Sequence, residues 1–98
     1  MTLQKIANGS QLTVEIEGRL DTSTAPEFES FVNDNIAGVA ELIIDMKNLD
    51  YISSAGLRVL LSAQKKMNAV GKMIVKNANE TVKEIFEVTG FCDILTIE

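Results

Sequence analysis

The sequence predicts an α/β fold in which a mixed β-sheet carries its helices mainly on one face. Three observations lead there. Short apolar runs alternate with stretches of helical periodicity in the order β-β-α-β-α-β-α-β. Single helices between the later strands imply parallel neighbours joined by right-handed crossovers, which can all land on one side of the sheet. The run Leu12-Thr13-Val14-Glu15-Ile16-Glu17 alternates apolar with polar residues, leaving one face of its strand for water. With 98 residues and 46% hydrophobic content, the chain is long enough for one core and too short for two ordinary domains, so a single domain over 1–98 is expected.

The first two strands are predicted at residues 3–6 and 12–18, flanking Asn8-Gly9, a tight-hairpin signal. A polar loop, 19–24, follows. Thr24 and Glu27 have capping-box spacing, and Pro26 falls in the first turn, where its missing N–H costs nothing. A helix is therefore expected from about Ala25, with Phe28, Phe31, Val32 and Ile36 on its apolar side. Residues 39–46 contain Leu42-Ile43-Ile44, which suits a central strand. From Ser54 to about Ala69, Leu57, Leu60, Leu61 and Met67 recur at helical spacing, with Arg58, Ser62, Lys65 and Lys66 off that face. Gly71 is expected to end this helix in a left-handed conformation. Met73-Ile74-Val75 then resumes an extended run, and Val82, Ile85, Phe86 and Thr89 make a third helix ending near Gly90. Residues 94–97 read as a last short strand.

Composition excludes several function classes. No run reaches the roughly 18 to 20 apolar residues of a membrane span, and the amino terminus lacks a signal-peptide layout, so a cytoplasmic protein without membrane attachment is expected. The net charge is −5 and the only adjacent basic pair is Lys65-Lys66, which argues against a nucleic-acid partner. The chain has no histidine and one cysteine, so neither a metal site nor a cofactor is expected; Cys92, amid Phe91 and Ile94, suits a small buried side chain.

The chemically suggestive stretch is Asp50-Tyr51-Ile52-Ser53-Ser54-Ala55-Gly56-Leu57, where two hydroxyls stand between a strand pattern and a helix. Without a histidine, a Ser-His-Asp triad cannot form, and Lys65 and Lys66 lie about three helical turns from Ser54, too far to serve as its base. Val70-Gly71-Lys72 lacks the first glycine and the hydroxyl residue of a phosphate-binding loop. Asp21, Asp45 and Asp50 near strand ends are more often turn or cap residues than acid–base pairs. No catalytic residue is expected, and the protein is read as a non-enzyme. Two readings of the serines stand at this point. Ser53 is an N-cap with Ser54 in the first turn, or one hydroxyl is a phosphorylation site at a helix end that favours negative charge.

Gly18-Arg19-Leu20-Asp21 with Thr24-Ala25, Leu42-Ile43-Ile44-Asp45 with Leu49, and above all Tyr51-Ile52-Ser53-Ser54-Ala55-Gly56-Leu57 resemble the STAS family, the small antagonists of anti-sigma factors and their relatives fused to sulfate transporters. The resemblance covers nearly the whole chain. It implies a STAS-like sheet and a stand-alone bacterial anti-sigma factor antagonist. Its partners would be a serine-kinase anti-sigma factor of the histidine-kinase-like ATPase fold and a metal-dependent serine phosphatase. Anchored on Gly56-Leu57, the family's phosphorylated serine falls on Ser54, and its neighbouring aspartate falls on Asp21. Family members have an aspartate before the modified serine; here that residue is Ser53, which makes it a second candidate. The resemblance further implies a partner-binding face of Asp21, Ser53, Ala55, Arg58 and Ser62. An unphosphorylated STAS adaptor, scaffolding an assembly such as a lipid-transport complex, is the alternative.

Overall fold

The structure is a computed structural model describing all 98 residues, Met1–Glu98. Its elements are β1 (Thr2–Asn8), β2 (Gln11–Leu20), α1 (Ala25–Asn35), β3 (Glu41–Ile52), α2 (Ser54–Val70), β4 (Lys72–Lys76) and α3 (Glu80–Thr89), followed by a 3-10 turn at Phe91–Asp93. The four strands form one sheet in the order β1-β2-β3-β4. β1 runs antiparallel to β2, and β2, β3 and β4 are mutually parallel. The sheet is therefore mixed, as predicted.

Asn8 pairs with Gln11, so the hairpin turns on two residues, Gly9 and Ser10. Only Gly9 of these adopts positive φ, at 62°, the requirement of a II′ turn whose twist matches the flanking strands. Beyond the turn, Leu12, Val14 and Ile16 lie on the same face as Leu42, Ile44 and Met46 of β3 and Met73 and Val75 of β4. All are buried, and α1 covers them with Phe28 and Val32, α2 with Leu57, Leu60, Ala63 and Met67, and α3 with Val82 and Phe86. Each such large side chain contributes about 1.5 to 3 kcal/mol relative to exposure. The opposite face carries Gln11, Thr13 and Glu15 beside Glu41, Ile43 and Asp45, so helices occupy one side.

β3 is longer than the sequence predicts. It continues through Lys47-Asn48-Leu49-Asp50-Tyr51-Ile52, pairing with residues Glu17 to Leu20 after register shifts between Glu15 and Glu17 and between Gly18 and Arg19. Gly18, at φ 101°, supplies the backbone for the second irregularity. The extension carries both strands to a common end, where Leu20 pairs with Ile52.

Four local expectations are corrected. Gly71 ends α2 with φ 172°, extended and not left-handed; glycine is required because a Cβ there would lie 1.8 Å from the Ala40 carbonyl oxygen, which accepts the Lys72 N–H at 3.0 Å. Thr24 does not form a capping box: its hydroxyl donates to the Arg19 carbonyl at 2.9 Å and accepts the Asp21 N–H at 2.8 Å. The predicted last strand is a single parallel bridge, Val75 to Ile97, because the 3-10 turn consumes the preceding residues. That turn also buries Leu95 and leaves Cys92 exposed, contrary to its expected burial. Gly90 does adopt the left-handed cap of α3, at φ 80°.

Candidate functional site

Parallel pairing of β2 with β3 brings the β2–α1 and β3–α2 turns side by side at the carboxyl ends of the strands, the usual place for a site in such sheets. The Ser53 N–H donates to the Leu20 carbonyl at 2.8 Å and fastens the two turns together. Asp21 and Ser53 thus flank one edge, and α2 leaves from it with Ser54 as its first residue.

The two serines differ in exposure. Ser54 is exposed, and none of the side-chain hydrogen bonds engages its hydroxyl. Ser53 stands at the N-cap position with extended backbone, φ −98° and ψ 176°, but its hydroxyl does not cap α2. Its Oγ is sealed from solvent without a hydrogen-bond partner. The expected side-chain cap is therefore absent. Leaving such a hydroxyl unpaired costs about 1 to 3 kcal/mol.

Close packing explains the inward turn of Ser53. Gly56, in the first turn of α2, lies so near the strand ends that a Cβ would stand 2.7 Å from Leu20 Cγ and 2.8 Å from Ile52 Cγ1. Glycine lets the helix start press onto Leu20 and Ile52, which draws Ser53 into the joint and leaves Ser54 outside. With no side-chain cap and no acidic residue in its first turn, α2 presents a partially positive end that none of its own side chains neutralises.

Asp21 is built into its own turn. Its Oδ1 accepts the Ser23 hydroxyl at 2.7 Å, the Ser23 N–H at 3.0 Å and the Thr24 N–H at 3.2 Å. The hydroxyl bond from Ser23 is the main reason its carboxyl is held below the ordinary value; desolvation opposes this, and the two N–H groups and the Thr24 hydroxyl assist. Asp21 is thus a fixed negative charge beside the serines. A carboxyl whose folded pKa is depressed stabilises the fold above its unfolded pKa and loses that contribution as pH falls through the folded value. Asp21→Asn, which keeps the acceptor, should give a Tm deficit that shrinks as pH is lowered from about 5 to about 2, by thermal melts at each pH. A constant difference would show that the charge contributes nothing.

Two neighbours carry no sequence signal. The Arg19 guanidinium lies 4.6 Å from the centre of the Tyr51 ring and 3.9 Å from Asp21 Oδ2, because Arg19 and Tyr51 are paired across the strands. Only the register could have revealed this. Of the other predicted face residues, Ala55 is half-buried and Arg58 exposed, and both border a shallow groove shared with Thr22, Pro26 and Glu29. Ser62, also half-buried, lies two turns further along α2, about 12 Å from Ser54. The structure gathers Asp21, Ser53, Ser54 and Ala55 at one corner, and Arg58 and Ser62 extend from it along one helix.

A small mixed-sheet α/β domain that offers an exposed serine at the start of its second helix is the architecture these residues define. The STAS domain profile matches residues 2–98, and the chain belongs to the STAS family. It is 31% identical over 99 residues to BtrV of Bordetella bronchiseptica, provisionally named an anti-sigma factor antagonist, covering 99% of this chain and 84% of that protein. It is 26% identical over 86 residues to the anti-sigma-B factor antagonist of Staphylococcus aureus, covering 86% and 80% of the respective chains. Among solved structures, the anti-sigma factor antagonist SpoIIAA in its unphosphorylated form matches with a TM-score of 0.77 at 18% identity, over 99% of this chain and 87% of that one. The phosphorylated form of SpoIIAA from Bacillus matches with 0.76 at 19% identity, over 99% and 91%. The fold resembles both forms equally. No helix is long and apolar enough to cross a membrane.

Proposed function

We propose that this chain is an anti-sigma factor antagonist whose binding is switched off by a phosphate on Ser54. Unmodified, the Asp21–Ser54 corner and the exposed side of α2 dock on a serine-kinase anti-sigma factor of the histidine-kinase-like ATPase fold, and the sigma factor is released. In the opposing step the γ-phosphoryl group of ATP passes to Ser54 Oγ, ADP departs, and the hydroxyl proton goes to a base of the kinase. A metal-dependent serine phosphatase restores the binding form.

The observation that carries this reading is the difference between the serines: Ser54 Oγ is open to a kinase, whereas Ser53 Oγ is enclosed. Charge supports it too. α2 contains Arg58, Lys65 and Lys66 and no acidic residue, on a chain of net charge −5, so its outer side suits an acidic surface of a partner. The names of the relatives supply the class of partner.

Intact mass after incubation with ATP and the cognate kinase tests the site. Wild type and Ser53→Ala should each gain one phosphate and Ser54→Ala none. A phosphate kept by Ser54→Ala and lost by Ser53→Ala would move the site by one residue, and no phosphate on any of them would remove the switch.

A further inference from the structure

Ser54 and Arg58 stand one helical turn apart in the exposed part of α2. Their Cβ atoms are about 5 to 6 Å apart in regular helical geometry, and a helical side chain leans back over the turn that precedes it. An arginine at i+4 therefore reaches toward an anion at i, and this order, acid before base, is the favourable one. Arg58 is also uncommitted. It takes part in neither ion pair of the chain, which join Arg19 to Asp21 and Lys72 to Glu41, and in none of the side-chain hydrogen bonds. Of the acids of α1, Glu29 borders the same groove as Arg58 without coming within ion-pair distance. Asp21 is occupied by Ser23 and Thr24 and lies beside Arg19, itself stacked on Tyr51.

We propose that Arg58 is the internal counter-ion of the phosphorylated state: a phosphate on Ser54 captures the Arg58 guanidinium, and the partner-facing side of α2 loses its first cation when it gains the charge. This rests on the reading of Ser54 as the modified hydroxyl. The phosphate carries about −1.5 to −2 charge with three strong acceptor oxygens, and a guanidinium binds such a group in bidentate fashion. One modification then changes two features of the docking surface. It adds an anion at the corner and withdraws the arginine that an acidic partner would meet. Lys65 and Lys66 stay where they are, about 16 Å or more from Ser54.

The test is separable from the kinase. Phosphoserine is placed at position 54 during synthesis of the chain, and the second ionisation of the phosphate is followed by phosphorus NMR as pH is varied. A cation at this distance should lower that pKa by about half a unit, so Arg58→Gln should raise it by about that amount. Arg58→Lys should recover part of the difference, and Arg19→Gln should leave it unchanged. An unchanged titration in Arg58→Gln would overturn the proposal and assign any lowering to the helix end alone. A shift in Arg19→Gln in its place would overturn it in favour of Arg19. Failure of a kinase to modify Ser54 bears on the proposed function and leaves this titration unaffected, so the two are distinguished.

Discussion

A phosphate on Ser54 is expected to weaken binding to the anti-sigma factor by about two to four decades while leaving the Tm of the free chain nearly unchanged. Docking would bury a group that gains about −1.5 to −2 charge, which a single arginine offsets only in part, and a buried charge left without full compensation costs roughly 3 to 5 kcal/mol. That penalty corresponds to the stated loss of affinity. Asp21, whose carboxyl its turn holds below the ordinary value, places a second negative charge in the same patch as the phosphate. Stability should not change, because Ser54 is exposed and no hydrogen bond of its hydroxyl has to be broken. The added charge instead meets the positive end of α2. Calorimetric titration of both forms, with a melt of each, checks the two halves separately. Equal affinities would refute the electrostatic account, and a large fall in Tm would mean that the phosphate acts by disrupting the domain.

The largest expected effect on stability lies at the other end of α2. Gly71→Ala should destabilise the domain by about 3 kcal/mol, or more if the chain cannot yield. The added methyl would stand 1.8 Å from the Ala40 carbonyl oxygen and 2.7 Å from its carbon. Both are backbone atoms, and the oxygen already accepts the Lys72 N–H that starts β4. Relief therefore requires either α2 or the start of β3 to move, and β3 is the centre of the sheet with partners on both sides. For a domain of this size such a loss lowers Tm by about 12 to 24 °C. Thermal melts of wild type and variant measure it directly. A fall of only a degree or two would show that the α2–β4 connection is free to shift.

These two sites differ in how far the sequence foretells them. Helix starts and stops were legible where one residue forces the backbone, as Pro26 does at the start of α1 and Gly90 at the end of α3. Gly71 was legible as a stop but not in its reason, since the close approach of Ala40 comes from strand order and not from neighbours in sequence. The hairpin at Gly9 and the burial of Leu12, Val14 and Ile16 followed from turn chemistry and period-two alternation. The second half of β3 escaped because Lys47, Asn48 and Asp50 break the alternation, and its pairing depends on register shifts opposite Gly18. The exposure of Cys92 has a related cause: the 3-10 turn directs outward a residue whose neighbours in sequence are apolar.

At the candidate site, the residue types were visible and their environments were not. The position of Ser54 at the start of α2 could be read from periodicity, and its meaning from the family pattern. That Ser53 turns its hydroxyl inward could not, because this depends on Gly56 seating α2 against Leu20 and Ile52. The contact of Arg19 with Tyr51 likewise exists only once β2 and β3 are in register. A capping rule applied to Ser53 gave the right position and the wrong hydrogen bond, because packing at the joint outweighs a cap contribution of about 1 kcal/mol.

The central claim is that one hydroxyl is both modified and decisive for binding. Wild type and Ser54→Ala, each treated with the kinase and ATP and then titrated against the anti-sigma factor, test it most directly. Treatment should weaken binding by wild type by about two to four decades and leave Ser54→Ala binding as the untreated chain does. Loss of binding by both, or by neither, would contradict the account.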